Sequence, residues 1–211
     1  MLIVAAVIAL HLLLVLAVDG GLLSRESIVE QGALRKGATV VEPWRLVTSL
    51  VLHSSVQHVL ANGLSMLVFA VPLLGWVGLR RAAMVYLAAG IGGGITAVAL
   101  SDFGVRILGS SGAVSGLFGA WVVLALERAS VADLPNRVRL RTAGIALLVL
   151  PSLVNPVTAE GHPVSVSSHL GGALTGMLVG MALSRGWLRR MELEEPPPAS
   201  GGDGEDDAFV N

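Results

Sequence analysis

The chain has 211 residues, of which 54% are hydrophobic and only 14% are charged, and its mean hydropathy of +0.76 excludes an ordinary soluble domain. It contains no cysteine, so disulfides and thiolate chemistry are excluded. The formal net charge of −1 says little, because the charges are segregated along the chain.

Six apolar windows approach the roughly 20 residues that cross a bilayer. They are residues 2–18, 56–77, 82–100, 107–126, 140–157 and 163–183. We therefore predict an all-α polytopic membrane protein, a bundle of six transmembrane helices within residues 1–191. The first window has no basic segment before it and no good cleavage site after it, so we interpret it as a retained helix and not as a signal peptide.

Two segments lie outside the predicted spans. Residues 19–54 form a long connection of mixed charge, and residues 192–211 carry seven acids and three consecutive prolines, which is typical of a disordered tail. Nine of the 14 basic residues fall in loops on the side of the N-terminus, as the excess of cytoplasmic arginine requires. This distribution predicts that both termini and the acidic tail are cytoplasmic, and arginine-rich, lysine-poor usage suggests a bacterial plasma membrane.

Polar residues at membrane depth cost free energy of insertion and are therefore candidates for a functional site. No acidic residue and no lysine lies within a predicted span. This absence excludes a membrane aspartyl protease, a HExxH metalloprotease, a Ser/Lys hydrolase and a carrier with a buried carboxylate. Serine, histidine and asparagine remain.

Three polar clusters lie where the second, fourth and sixth spans begin. The second span opens with His58 and Asn62, four residues apart on one helix face, and His53 precedes it. The fourth carries Ser110, Ser111 and Ser115, and the sixth carries His169. Because these three spans run in the same direction, the clusters share one membrane depth and can meet in one cavity. Together they supply the parts for a nucleophile, its base and an oxyanion site.

Glycines at four-residue spacing follow two of these clusters. Gly112 and Gly116 lie on the fourth span, and Gly172, Gly176 and Gly180 lie on the sixth. Small residues at this spacing let two helix backbones approach closely in a membrane. We expect the fourth and sixth helices to pack against each other.

Four motifs in this order resemble the rhomboid family of intramembrane serine proteases. They are EPWR (residues 42–45), HSSVQHVLAN (53–62), GSSG (109–112) and SHLGGALTG (168–176). A single GxSG is a weak signal, whereas all four at the start of the proper helices are specific.

The resemblance implies a role for each matching residue. Ser111, third in the GxSG, would be the nucleophile, and His169 the general base and then acid. His58 and Asn62 would form the oxyanion hole with the backbone N–H of Ser111. His53 and the Glu42–Arg45 segment match structural positions. The implied Ser/His dyad needs no acid, cofactor or metal.

One position departs from the family pattern. Rhomboids commonly carry an aromatic residue four positions after the nucleophile, packed on the catalytic imidazole, and this chain has Ser115 there. We expect the imidazole to be held less firmly or by a hydroxyl. The fifth span also lacks bulky gate aromatics, and Leu147, Leu148 and Leu153 would take that role.

Each residue also has a structural interpretation. Ser111 alone would more often serve helix packing, Ser110 and Ser115 are alternative nucleophiles, and His58, Asn62 and His169 could be interhelical hydrogen-bonders. We expect His11 in the first span to be structural.

Taken together, the motifs favour a membrane endopeptidase that cleaves single-span transmembrane proteins in or near the membrane, with membrane lipid as its surroundings and no nucleic-acid partner. The oligomeric state is open. The alternative is a non-catalytic rhomboid-like protein that binds transmembrane helices; a channel is disfavoured because the spans present no charged pore lining.

Overall fold

The computed structural model describes residues 2–131 and 164–194, and every regular element in these two ranges is a helix. In chain order the helices are α1 (Leu2–Asp19), α2 (Arg25–Gly32), α3 (Ala38–Val41), α4 (Arg45–Val51), α5 (Val56–Leu100), α6 (Ser111–Val131) and α7 (Val166–Glu194). Three of them, α1, α5 and α7, are long and apolar enough to cross a membrane, and α6 contains a shorter apolar segment. The all-α prediction is confirmed. The predicted fifth span, residues 140–157, lies outside the described residues.

Helix α5 contains two predicted spans in one element of 45 residues. Its backbone leaves the helical region at Gly78, where φ is +78° and ψ is 168°. A straight helix would place residue 90 about 50 Å from residue 56, where α5 begins. In the structure, however, residue 90 lies close to that beginning, since a Cβ on Gly90 would lie 2.7 Å from the side chain of Leu50, which shortly precedes α5. The chain therefore turns back at Gly78, into a first arm (residues 56–77) and a second arm (79–100). A positive φ favours glycine, which explains the residue at the turn.

Helices α6 and α7 meet backbone to backbone through four glycines, which we call the glycine seam (Gly112, Gly116, Gly172 and Gly176). A Cβ on Gly172 would overlap the carbonyl oxygen of Gly112, and a Cβ on Gly176 would overlap that of Gly116. Any larger side chain would push the helices apart. The expectation from glycine spacing, that these two helices pack closely, is confirmed.

The hydrophobic core lies between the first arm of α5 and α6. Phe69 and Leu73 are fully buried there, and the ring of Phe69 lies 5.2 Å from that of Phe118 and 5.7 Å from that of Trp121. Helix α1 packs against the same arm, since a Cβ on Gly63 would lie 3.1 Å from the side chain of Ile8. The packing of this arm leaves its outer end, with His58 and Asn62, fixed relative to α6.

The segment between α1 and α5 (residues 20–55), which we call the outer connection after its predicted side of the membrane, contains α2, α3 and α4 and is held mainly by polar contacts. Arg45, only 4% exposed, pairs with the carboxylate of Glu42 and donates to the backbone carbonyls of Glu30 and Ala33 at 2.8 and 2.9 Å. One buried guanidinium thus closes the turn between α2 and α4. The sequence prediction of this segment as a plain connection omitted its three short helices.

The outer connection is also bound to the loop that precedes α6 (residues 101–110). Leu34 and Ile107 exchange both backbone hydrogen bonds, at 2.9 and 3.0 Å. Arg106 donates to Glu30 at 2.9 Å. Lys36 Nζ donates to the carbonyl of Ser101 at 3.0 Å and lies 5.4 Å from the centroid of the Phe103 ring. These contacts fix the loop that leads to the GSSG motif.

Two predicted boundaries differ from the observed helices. The fourth span was expected from residue 107, but α6 begins at Ser111, because the preceding residues pair with the outer connection. The sixth was expected to end at residue 183, but α7 continues to Glu194. The remainder of the predicted acidic tail lies outside the described residues.

Candidate active site

The GSSG motif forms a tight turn into α6. Gly109 has φ +116°, and its N–H donates to the carbonyl of Ser49 at 2.9 Å. A Cβ on Gly109 would lie 2.7 Å from the ring of His58, so both the conformation and the space require glycine. The first helical hydrogen bond of α6 runs from Val114 N–H to the Ser110 carbonyl. The N–H of Ser111 therefore has no partner within the helix and lies at its positive end.

His53 is the centre of a hydrogen-bond network beneath this turn. Its Nδ1 lies 3.3 Å from the Val51 carbonyl, which accepts only if Nδ1 carries the proton. Its Nε2 is then an acceptor, and it faces Asn62 Nδ2 at 3.1 Å and the Ser110 hydroxyl at 3.3 Å. Ser110 N–H also points at Nε2, at 3.4 Å. The network ties the first arm of α5 to the turn before Ser111.

The electrostatics keep His53 neutral. Burial, and then the neighbouring His58 and His11, lower the pKa of His53 to about 3. The His11 and His58 ring centroids each lie 4.9 Å from that of His53. At neutral pH His53 is therefore a neutral imidazole that donates from Nδ1 and accepts at Nε2, and it does not act as a proton carrier.

The predicted oxyanion residues flank the same turn. His58 lies in the first turn of α5, which begins after the Ser55 cap, and its Nδ1 is 3.1 Å from the Ser54 hydroxyl. Its ring lies against Gly109. Asn62 lies one turn further along and is 7% exposed, and its amide is directed at His53. His58 thus lies against the backbone that precedes Ser111, and Asn62 is linked to the same turn through His53.

His169 lies in the first turn of α7 and is 6% exposed. Its helix contacts the GSSG turn through the neighbouring residues Ser168 and Gly112, since a Cβ on Gly112 would lie 2.6 Å from the Ser168 hydroxyl. Gly112 follows Ser111 directly, and Ser168 precedes His169 directly. The structure therefore brings the backbones that carry Ser111 and His169 together at the outer end of the glycine seam.

The three candidate serines have different surroundings. Ser110 is fully buried and faces His53. Ser115 is 3% exposed, and its hydroxyl donates to the Ser111 carbonyl at 2.8 Å. Ser111 is half-buried, at the first position of α6. Among these hydroxyls, that of Ser111 is the most accessible to a substrate.

Sequence reasoning missed two contributors to the site. His11 was expected to be a structural residue of α1, but its ring also contacts the His53 network. Tyr86, on the second arm of α5, places its hydroxyl beside Ser110. A polar group at membrane depth was the only signal for His11, and an isolated tyrosine in an apolar span gave none for Tyr86.

The cluster of His11, His53 and His58 does not form a metal centre. Both ring nitrogens of His53 are engaged by protein groups, and within residues 2–131 and 164–194 no three His, Cys, Asp or Glu side chains have a geometry that could hold a metal ion. The imidazoles are instead held together by hydrogen bonds and ring contacts.

Apolar spanning helices with serine, histidine and asparagine gathered at one buried turn define an integral membrane protein with a polar intramembrane site. Comparison with known proteins identifies it further. A sequence model of the Rhomboid domain matches residues 41–186, and the chain therefore belongs to the rhomboid family.

Individual relatives agree with this assignment. The chain is 30% identical over 179 residues to the rhomboid protease GluP of Bacillus subtilis, a match that covers 83% of this chain and 34% of GluP. RHOMBOID-like protein 1 of Arabidopsis thaliana is 31% identical over 66% of this chain and 34% of its own length. Rhomboid-related protein 2 of mouse is 31% identical over 66% of this chain and 47% of its own length. The chain thus spans less than half the length of these relatives.

Proposed function

We propose that this protein is an intramembrane serine endopeptidase that uses a Ser111/His169 dyad. The observation that carries the proposal is the contrast among the three serines: the GxSG serine alone is accessible, and it begins a helix packed against the helix of His169. The similarity to GluP, which is named a rhomboid protease, supports it.

The proposed reaction follows the surroundings of each group. The Ser111 hydroxyl attacks the carbonyl carbon of the scissile peptide, and His169 takes its proton. The oxyanion accepts hydrogen bonds from His58, Asn62 and the Ser111 N–H, which lies at the positive end of α6. When the tetrahedral intermediate collapses, His169 gives the proton to the leaving amine. Water then attacks the acyl-enzyme by the same route and regenerates the serine.

The substrates proposed are single-span transmembrane proteins. A peptide bond inside a helix is shielded and hydrogen-bonded, so a substrate helix must unwind locally to reach Ser111. A stretch of helix-destabilising residues near the cut would meet this requirement. The arginine distribution supports the further proposal that both termini lie in the cytoplasm, and the arginine-rich, lysine-poor usage supports a bacterial plasma membrane.

The test is cleavage of a tagged single-span rhomboid substrate by the purified chain in detergent. Ser111→Ala and His169→Ala should each abolish cleavage that the wild type performs, while Ser110→Ala should leave a measurable residual rate. Equal cleavage by all variants would overturn the nucleophile assignment. An inactive wild type that still binds the substrate helix would favour the alternative, a non-catalytic binder of transmembrane helices.

Ser115→Tyr is the matched gain test. The Ser115 hydroxyl donates to the Ser111 carbonyl of its own helix, so it does not take the place of the aromatic ring that rhomboids commonly pack on the imidazole. If the missing aromatic limits the rate, this variant should cleave faster than the wild type; a slower variant would indicate that the buried pocket around Ser115 cannot hold the ring.

A further inference from the structure

The hydroxyl of Tyr86 is buried, yet it makes no hydrogen bond to any of the residues described. Tyr86 is the only tyrosine of the chain. A buried hydroxyl without a partner is costly, and native proteins rarely keep one without a reason. Phenylalanine would fill the same space without this cost, so the oxygen itself requires an explanation.

The face of the second arm that carries Tyr86 packs against the residues of the candidate site. Ala89, Gly90 and Gly93 follow it at helical spacing. A Cβ on Gly90 would lie 3.3 Å from that of Ala113, and one on Gly93 would lie 2.6 Å from the carbonyl of Ser168. The Tyr86 hydroxyl faces the side chain of Ser110, beyond direct hydrogen-bond geometry.

Ser110 and Asn62 compete to donate a hydrogen bond to Nε2 of His53. Nε2 of a neutral imidazole has one lone pair, but three donors point at it: the amide of Asn62, the hydroxyl of Ser110 and the N–H of Ser110. They cannot all be satisfied at once. The Asn62 amide has two N–H groups, and the one that donates to His53 is not available to an oxyanion.

We infer that Tyr86 is a positioning residue, an inference that rests on the proposed function. By donating its hydroxyl to Ser110, Tyr86 directs the Ser110 hydroxyl onto His53. The amide N–H of Asn62 that pointed at His53 is then released to bind the oxyanion. Each acceptor in this relay then has one donor. Tyr86 donates to Ser110, Ser110 donates to His53 Nε2, and His53 Nδ1–H donates to Val51. The relay requires the turn before Ser111 to shift on substrate binding, so that the missing hydrogen bond forms.

The experiment measures kcat, KM and thermal stability for Tyr86→Phe, Ser110→Ala and the double variant, all in the full chain. Each single variant should lower kcat about tenfold, which is the value of one hydrogen bond in the transition state, with KM unchanged. The double variant should be no slower than the slower single variant, because both changes break one relay. Tyr86→Phe should not lower the melting temperature, since the hydroxyl lost makes no hydrogen bond within residues 2–131 and 164–194.

Ser184→Ala is the control for loss of a buried hydroxyl. Ser184 is 1% exposed and donates to the Met181 carbonyl of its own helix, and its removal should leave kcat unchanged. A Tyr86→Phe variant with wild-type kcat, or losses that multiply in the double variant, would overturn the relay while Ser111-dependent cleavage stands. A wild type without activity would instead overturn the proposed function, and the relay with it.

Discussion

The glycine seam and the outer connection hold two sides of one site by opposite means. In the seam, α6 and α7 touch through backbone atoms, with no side chain between them. In the outer connection, one buried arginine, several backbone carbonyls and exposed ion pairs carry the contacts. The seam places the start of α6, with Ser111, relative to the start of α7, with His169, and the outer connection places the turn that precedes Ser111.

The difference shows which conditions each side depends on. Close backbone packing is insensitive to pH and salt but tolerates no added atom. Hydrogen bonds and ion pairs tolerate small substitutions but respond to protonation and ionic strength. Mutations and titrations should therefore separate the two sides.

The largest effect is expected in the seam. Gly176→Val would force the backbone of α6 away at Gly116, and a displacement of about 1 Å between reacting groups costs on the order of a hundredfold in rate. Cleavage should fall by at least that factor, and the melting temperature should drop. Gly75→Val is the control, because a Cβ on Gly75 meets nothing within 4 Å; equal losses in both variants would contradict the role of the seam.

The next effect is expected at the anchor of the outer connection. Arg45→Ala leaves the carbonyls of Glu30 and Ala33 without their donor, which should cost about 2–4 kcal/mol. Thermal unfolding in detergent would measure it. Arg25, which is half-exposed and also donates to a carbonyl, gives the control, and its replacement by alanine should have a much smaller effect.

A third effect is a dependence of stability on pH that comes from His53. Its pKa is about 3 in the folded protein and about 6.5 in an unfolded chain. Between these values the unfolded chain binds more protons, so stability falls as the pH falls from 6.5 towards 3, by at most about 1.4 kcal/mol per pH unit. Melting temperatures at pH 7 and 5 should differ less in His53→Gln than in the wild type; identical slopes would contradict a neutral, buried His53.

The smallest effect is expected at the exposed ion pairs. The hydrogen bond from Arg106, aided by Arg35, lowers the pKa of Glu30. Its contribution is therefore present above the ordinary carboxyl range and is lost as the pH falls through the folded pKa. Because such pairs are solvated, Glu30→Gln should change the melting temperature by no more than about 2 °C, and less at high salt. A large drop in melting temperature would mean that the ion pair of Glu30 with Arg106 stabilises the loop more than is expected of an exposed pair.

The sequence predicted the described helices and their packing better than the connections between them. Apolar windows and glycine spacing were enough for α1, the two arms of α5 and the packing of α6 on α7, because lipid solvation and close approach depend on local residue type. The start of α6 at Ser111 was not predictable, since it depends on the pairing of Leu34 with Ile107 across the molecule. The roles of His11 and Tyr86 likewise depend on which helices become neighbours. The fifth span and the assignment of Ser111, His169, His58 and Asn62 stay predictions.

Lys36 gives the protein a built-in chemical reporter. It is the only lysine in the chain, and its amine is held against the carbonyls of Ala99 and Ser101 at the end of α5. An amine-reactive reagent can acylate it only when the nitrogen leaves these carbonyls and loses its proton. The rate of acylation at that one side chain would therefore measure how often the outer connection separates from the loop before α6. The measurement could be made in native membranes and needs no engineered labelling site.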